Sequence, residues 1–139
     1  MANIQPQYGT AATLTVSGFA TLANGSTAIS SLIANFLYLD YVFTVSVTTG
    51  AGALSTGIVE CYAQGSSDGS LFDDASNDKW IGSIALSAAG AQTRMRTMTI
   101  ASAFGGTVPP QFQLRFKNST GAALTASSVR YVGVNAMTV

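Results

Sequence analysis

The chain has 139 residues, of which 47% are hydrophobic and only 9% charged, with six basic and six acidic side chains, one cysteine and no histidine. Zero net charge argues against a protein that neutralises nucleic-acid phosphates, which needs an excess of Lys and Arg. Without histidine, proton relays near neutrality and zinc or iron centres lose their commonest residue. The length suits one domain, large enough to bury a core without a disulfide framework or structural metal.

Residues 1–9 contain Pro6 and show no alternation, so they are predicted to form an extended N-terminal arm, with residues 10–139 as the domain proper. They have neither a basic n-region nor an apolar h-region, so no secretory leader is expected. No stretch approaches the ~20 apolar residues of a bilayer span, so no membrane partner is expected. The first strand is predicted at 11–17. Over 26–39, Ile29, Leu32, Ile33 and Phe36 have helical spacing while Ser30 and Ser31 oppose a helix, leaving helix and strand both open there.

From 41 to 48, Tyr41, Phe43, Val45 and Val47 alternate with Val42, Thr44, Ser46 and Thr48, the period of a strand. Further strands are predicted at 56–64, 80–86, 94–101, 111–118 and 129–138. Cys61 lies within the 56–64 run as a small buried hydrophobe without an intrachain partner. In 111–118, Phe112, Leu114 and Phe116 take one side and Gln113, Arg115 and Lys117 the other, as in an antiparallel strand with one wet face. Turn signals such as Asn24-Gly25, Asp68-Gly69, Gly105-Gly106 and Thr120-Gly121 separate the runs. The predicted fold is all-β, a single antiparallel β-sandwich or jelly roll of seven to eight strands.

Four of the six acids, Asp68, Asp73, Asp74 and Asp78, crowd into one segment. Their spacing does not match an EF-hand, so a solvated loop is expected rather than a calcium site, with no metal or cofactor. Asp73 with Asp74 or Glu60 nominally supplies a glycosidase pair. Nothing assembles nucleophile, base and stabiliser together around the serines, so no enzyme is expected. Trp80, Tyr62 and Phe72 flank the acidic segment, where they would suit a lectin-like module by stacking on sugar rings. The plainer alternative makes Trp80 the opening residue of a core strand. All the acids precede Lys79 while Arg94, Arg96, Arg115, Lys117 and Arg130 follow it. This segregation implies either two oppositely charged faces or head-to-tail contact between copies.

The runs Leu37-Tyr38-Leu39-Asp40 and Glu60-Cys61-Tyr62-Ala63-Gln64-Gly65-Ser66-Ser67-Asp68-Gly69-Ser70 resemble small β-sandwich virion structural proteins of tailed bacteriophages. The later runs at 104–112, 118–124 and 129–134 are similar to the same group. The resemblance implies a capsid decoration or cement protein on the major capsid protein lattice, or contact with another virion protein. It also implies a homo-oligomer, with a trimer favoured because decoration subunits sit on lattice symmetry axes. Localisation would be the virion, after synthesis in the host cytoplasm. The residues expected to meet partners are Ala2, Asn3, Ile4, Gln5, Pro6, Gln7 and Tyr8 of the arm, and Asp68, Asp73, Asp74 and Asp78 of the loop. The alternative function is a lectin-like carbohydrate-binding or fibre-associated sandwich.

Overall fold

The computed structural model describes residues 3–35 and 37–138. Its strands are β1 Ile4–Tyr8, β2 Ala12–Thr13, β3 Thr27–Ile29, β4 Ile33–Ala34, β5 Asp40–Thr49, β6 Ile58–Ser66, β7 Lys79–Ala85, β8 Thr93–Thr99, β9 Gln111–Ser119 and β10 Leu124–Thr138. A 3-10 turn, Ala101–Phe104, interrupts them. Two antiparallel sheets form a sandwich, one ordered β1-β10-β5-β8 with β2 on β10, the other β3-β9-β6-β7 with β4 on β9. Among the described residues no helix is long and apolar enough to cross a membrane.

The alternating runs build the core as expected. Tyr41, Phe43, Val45 and Val47 of β5 face Val59, Cys61 and Ala63 of β6 and Phe112, Leu114 and Phe116 of β9 across the interior. Phe116 stacks on Phe19 with ring centroids 4.4 Å apart, and Phe112 meets Tyr41 edge-on at 5.1 Å. The polar member of the inner β9 row is Asn118, fully buried. Its Nδ2 donates to the carbonyls of Leu22 and Ala122, and its Oδ1 accepts from the Thr120 N–H and hydroxyl. These bonds offset its desolvation and tie the loops before β3 and β10 to the end of β9.

Three expectations change. The helical alternative over 26–39 gives way to β3 and β4, both paired with β9. The apolar spacing that suggested a helix is met by Ala28 and Ile33 turning inward from short strands, while Ile29 and Leu32 stay exposed. Phe36 lies outside the described residues. The predicted arm is extended, but it does not stand apart: Ile4–Tyr8 pairs with β10, with Tyr8 opposite Val134. Tyr38 packs over this junction, where a Cβ on Gly133 would overlap the Tyr38 ring, so only glycine fits. Among the described residues the strand count rises from seven or eight to ten because β1 and the two-residue strands β2 and β4 join the sheets.

Candidate functional site

On β9 and β6 the residues alternate with core positions, so Gln113, Arg115 and Lys117 lie on the outer face with Gln64, Tyr62 and Glu60 directly opposite them. β7 completes the face. A bulge shifts its register, so that Cys61 pairs with Gly82 but Tyr62 pairs with Trp80, leaving Ile81 as the extra residue. The extra residue reverses the parity of the strand. Ile84 turns inward, while Trp80 comes out beside Tyr62 and is 57% exposed. The core-strand reading of Trp80 is thereby corrected: it begins a strand, but the bulge aims its indole at solvent.

Beside this indole the polar groups are fixed by one another. The Arg115 guanidinium carbon lies 4.3 Å from the Tyr62 ring centroid, a cation–π contact. Arg115 Nε donates to Asp78 Oδ2 at 2.5 Å, and both side chains are largely buried, at 11% and 4% exposure. The Tyr62 hydroxyl donates to Glu60 Oε1 at 3.0 Å, and Lys117 Nζ lies 3.9 Å from Glu60 Oε2. Burial first, and then the Glu60 hydrogen bond, push the Tyr62 hydroxyl above its ordinary pKa, so it stays a neutral donor. Gln113 Nε2 donates to Gln64 Oε1 at 2.9 Å. The result is an exposed indole next to a Tyr62 ring covered by the Arg115 guanidinium, with amide and carboxylate groups held by one another along the same face.

The predicted acidic residues do not act together. Only Asp78 belongs to this face. Asp68 Oδ1 accepts from the N–H groups of Ser70 and Leu71, which hold its carboxyl below the ordinary range. Asp74 accepts from the N–H groups of Ser76 and Asn77. Asp73 accepts from the Gly65 N–H at 3.0 Å, on the border of a separate open depression of about 480 Å³. Phe72 lines that depression with Phe104, Pro109 and Pro110, away from Trp80 and Tyr62. The nominal glycosidase pairs fail on the same ground, because Glu60 is engaged on the sheet face while Asp73 and Asp74 shape the loop. Among the described residues no three His, Cys, Asp or Glu side chains gather to hold a metal ion.

Of the N-terminal partner residues, Asn3 and Ile4 through Tyr8 are exposed at the edge of the other sheet, so they do not join the acidic loop in one site. Ala2 lies outside the described residues. The segregation of charge along the chain is undone by pairing, since β9 places Arg115 and Lys117 against Asp78 and Glu60 of the acid-rich half. Arg94 and Arg96 turn instead to neutral acceptors, Gln92 Oε1 and the Ser83 carbonyl. Sequence reasoning missed Arg115, Gln113 and Gln64 as site residues. Their signal was the polar side of the β9 alternation, legible as a wet face but not as facing Trp80.

Cys61 sits behind this face, fully buried, and burial pushes its thiol from 9.0 up to about 12. Folding therefore retains a proton that the unfolded chain releases, so this contribution to stability is full below about pH 9 and fades as pH rises toward 12. The native thiol should resist alkylation at pH 8 and react only after denaturation, as mass spectrometry of iodoacetamide-treated protein would show. Rapid labelling of folded protein would mean that β6 opens locally.

No family model matches the chain, and no curated protein matches it. Among solved structures, BuGH86 in complex with neoagarooctaose superposes with a TM-score of 0.54 at 9% identity, over 96% of this chain and 20% of that one. The chain thus spans about a fifth of that glycoside hydrolase chain. The xylan-binding module CBM15 matches at a TM-score of 0.48 and 17% identity, over 96% of this chain and 97% of that one. An infectious bursal disease virus structure, of the Gx strain, matches at 0.46 and 13%, over 97% of this chain and 33% of that one. At such identities the likeness concerns the fold alone, which is an antiparallel β-sandwich.

Proposed function

We propose that the chain is a non-catalytic, lectin-like binding module that holds carbohydrate on the outer face of β9, β6 and β7. The observation that carries this reading is Trp80, 57% exposed beside Tyr62 on a sheet whose neighbouring polar side chains are already fixed by one another. An exposed indole on a rigid strand costs no ordering when a sugar ring stacks on it, and the half-buried Gln113 and Glu60 on the same face retain free lone pairs or N–H groups for hydroxyls. Trp80 is the only tryptophan, so its fluorescence reports on the site directly.

Titration with a panel of neutral glucans, xylans, galactans and bacterial surface polysaccharides should shift the emission for at least one member. Trp80→Ala should then weaken that binding about 30-fold or more, the loss typical of a central aromatic anchor. Its melting temperature should stay near wild type, because the side chain packs little. An emission unmoved by every glycan at millimolar sugar would overturn the reading.

The second reading is a virion structural subunit. It is supported by the phage-like run 60–70, which forms β6 and its Asp68 turn, and by the large apolar side chains left exposed at Ile4, Tyr8 and Leu37. Peptide mapping of purified particles would test it, and the two readings are compatible where a virion surface protein engages a glycan.

A further inference from the structure

We infer that the depression at the end of β6, between the segments 66–73 and 104–110, is a binding site for a quaternary ammonium group. The inference does not rest on the sugar reading, because none of its residues belongs to the face around Trp80 and Tyr62. Gly65 is its centre. It continues the inward row of β6 after Cys61 and Ala63, opposite Phe112, but brings no side chain to the interior. A Cβ there would stand 3.0 Å from the Pro109 ring, 3.1 Å from the Phe104 ring and 3.4 Å from Asp73 Oδ2. An aromatic ring, a proline and a carboxylate thus converge on one point, and a glycine inside a strand is what such a close approach requires. The depression measures about 480 Å³, and Leu71, Phe72 and Pro110 complete its walls.

Both sides are held in place before any ligand arrives. The Asp73 N–H donates to the Gly65 carbonyl and its Oδ2 accepts from the Gly65 N–H, each at 3.0 Å, so the carboxylate is fastened to β6. Phe104 ends the 3-10 turn, whose start is pinned by Asp40 Oδ1 accepting from the N–H groups of Ile100 and Ala101. Pro109 and Pro110 restrict the backbone that carries them. A site fixed in this way loses little binding free energy to ordering.

Charge and hydrogen-bonding capacity identify the ligand. Asp73 is the one charged side chain of the lining, and among the described residues it enters no ion pair, with Oδ1 free of any hydrogen bond. An anion is therefore repelled, and a neutral apolar group would desolvate the carboxylate without compensating it. The other polar side chains of the lining are Ser66 and Ser67, and the Ser66 hydroxyl is already engaged with Asp68 and the Gly69 N–H. A sugar needs donors as well as acceptors, and the Ser67 hydroxyl is the one side-chain donor left to it. A primary ammonium brings three N–H donors, to which these side chains offer one carboxylate oxygen and one hydroxyl. A quaternary ammonium donates no hydrogen bond. It needs apolar contact for its methyl groups, aromatic rings and an opposite charge, which Leu71, Phe72, Phe104 and Asp73 supply.

Heteronuclear NMR titration of the full chain with choline tests this, beside its uncharged isostere, with a tert-butyl group in place of trimethylammonium, and butylamine as the primary ammonium. Choline should shift the amide signals of Gly65, Phe104 and Gly105 and approach saturation by about 20 mM, and both comparators should bind at least about fivefold more weakly. Asp73→Asn keeps an oxygen for the Gly65 N–H, so it should melt as the wild type does while losing at least about fivefold in choline affinity. Choline that leaves these signals unmoved, or shifts those of Trp80 and Tyr62 instead, would overturn the inference. So would wild-type protein that binds the uncharged isostere or butylamine as tightly as choline, a comparison that needs no variant. Full-strength choline binding by the folded Asp73→Asn chain would overturn it as well.

Discussion

Truncating Phe116 or Phe112 to Ala should lower the stability of the chain by about 3–5 kcal/mol, the largest loss expected from any single apolar deletion here. Both rings are fully buried in the centre of β9, which pairs with β6 along nine residues and with β3 and β4 on its other side. Phe116 carries the closest aromatic stack in the core, with Phe19 at 4.4 Å, and Phe112 touches both Tyr41 and Phe43. Removing either ring forfeits its transfer free energy and leaves a cavity between two sheets that β-ladder hydrogen bonds keep from collapsing. For a domain of this size the melting temperature should fall by about 10–15 °C. Lys117→Ala, one position from Phe116 on the wet side, should change stability by no more than about 0.5 kcal/mol. Equal melting of the Phe variants and the wild type would show that the β9 register is wrong.

The inner face of β9 was legible because its alternation is sharp and its inward residues are all large. The same rule failed at Trp80, where the one-residue bulge at Ile81 reverses the parity of the strand, and a bulge depends on the partner strand rather than on any local residue signature. β1 was legible as extended but not as paired. Pro6 breaks the alternation, and the ladder to β10 joins positions at opposite ends of the chain, a contact that no local window contains. The helical spacing over 26–39 misled for a related reason: two short strands separated by a bend place apolar residues at intervals that mimic a helix.

The acidic segment is the instructive case for the site. Its composition suggested a cation loop or a partner surface, yet each carboxylate has a local task that composition does not reveal. Asp68 and Asp74 close turns on nearby N–H groups, Asp73 fastens the segment back to Gly65, and only Asp78 reaches a distant side chain. Short polar side chains in loops tend to serve the backbone first, and crowding of acids is what a long loop with successive turns requires. The proposed binding face was hidden because it is assembled from three strands, whose facing residues are far apart in sequence.

Asp78 is where stability and the proposed binding face meet, and Asp78→Ala should cost about 3–5 kcal/mol because it strands the Arg115 guanidinium in a largely desolvated position. The pair itself need not be stabilising on balance, since desolvating two charges offsets most of their attraction; the cost arises from removing one partner only. Arg115→Met in the Asp78→Ala background should therefore recover most of the lost stability, as Met fills the space over Tyr62 without a charge. Sugar binding should not recover with it. Arg115 lies against the Tyr62 ring beside Trp80, so both the single and the double variant lose a fixed donor at the edge of the aromatic surface. Thermal melting and Trp80 fluorescence titration on the four members of this cycle separate the two effects. A single variant as stable as wild type would mean that the pair is well solvated, and full binding by the double variant would remove Arg115 from the site.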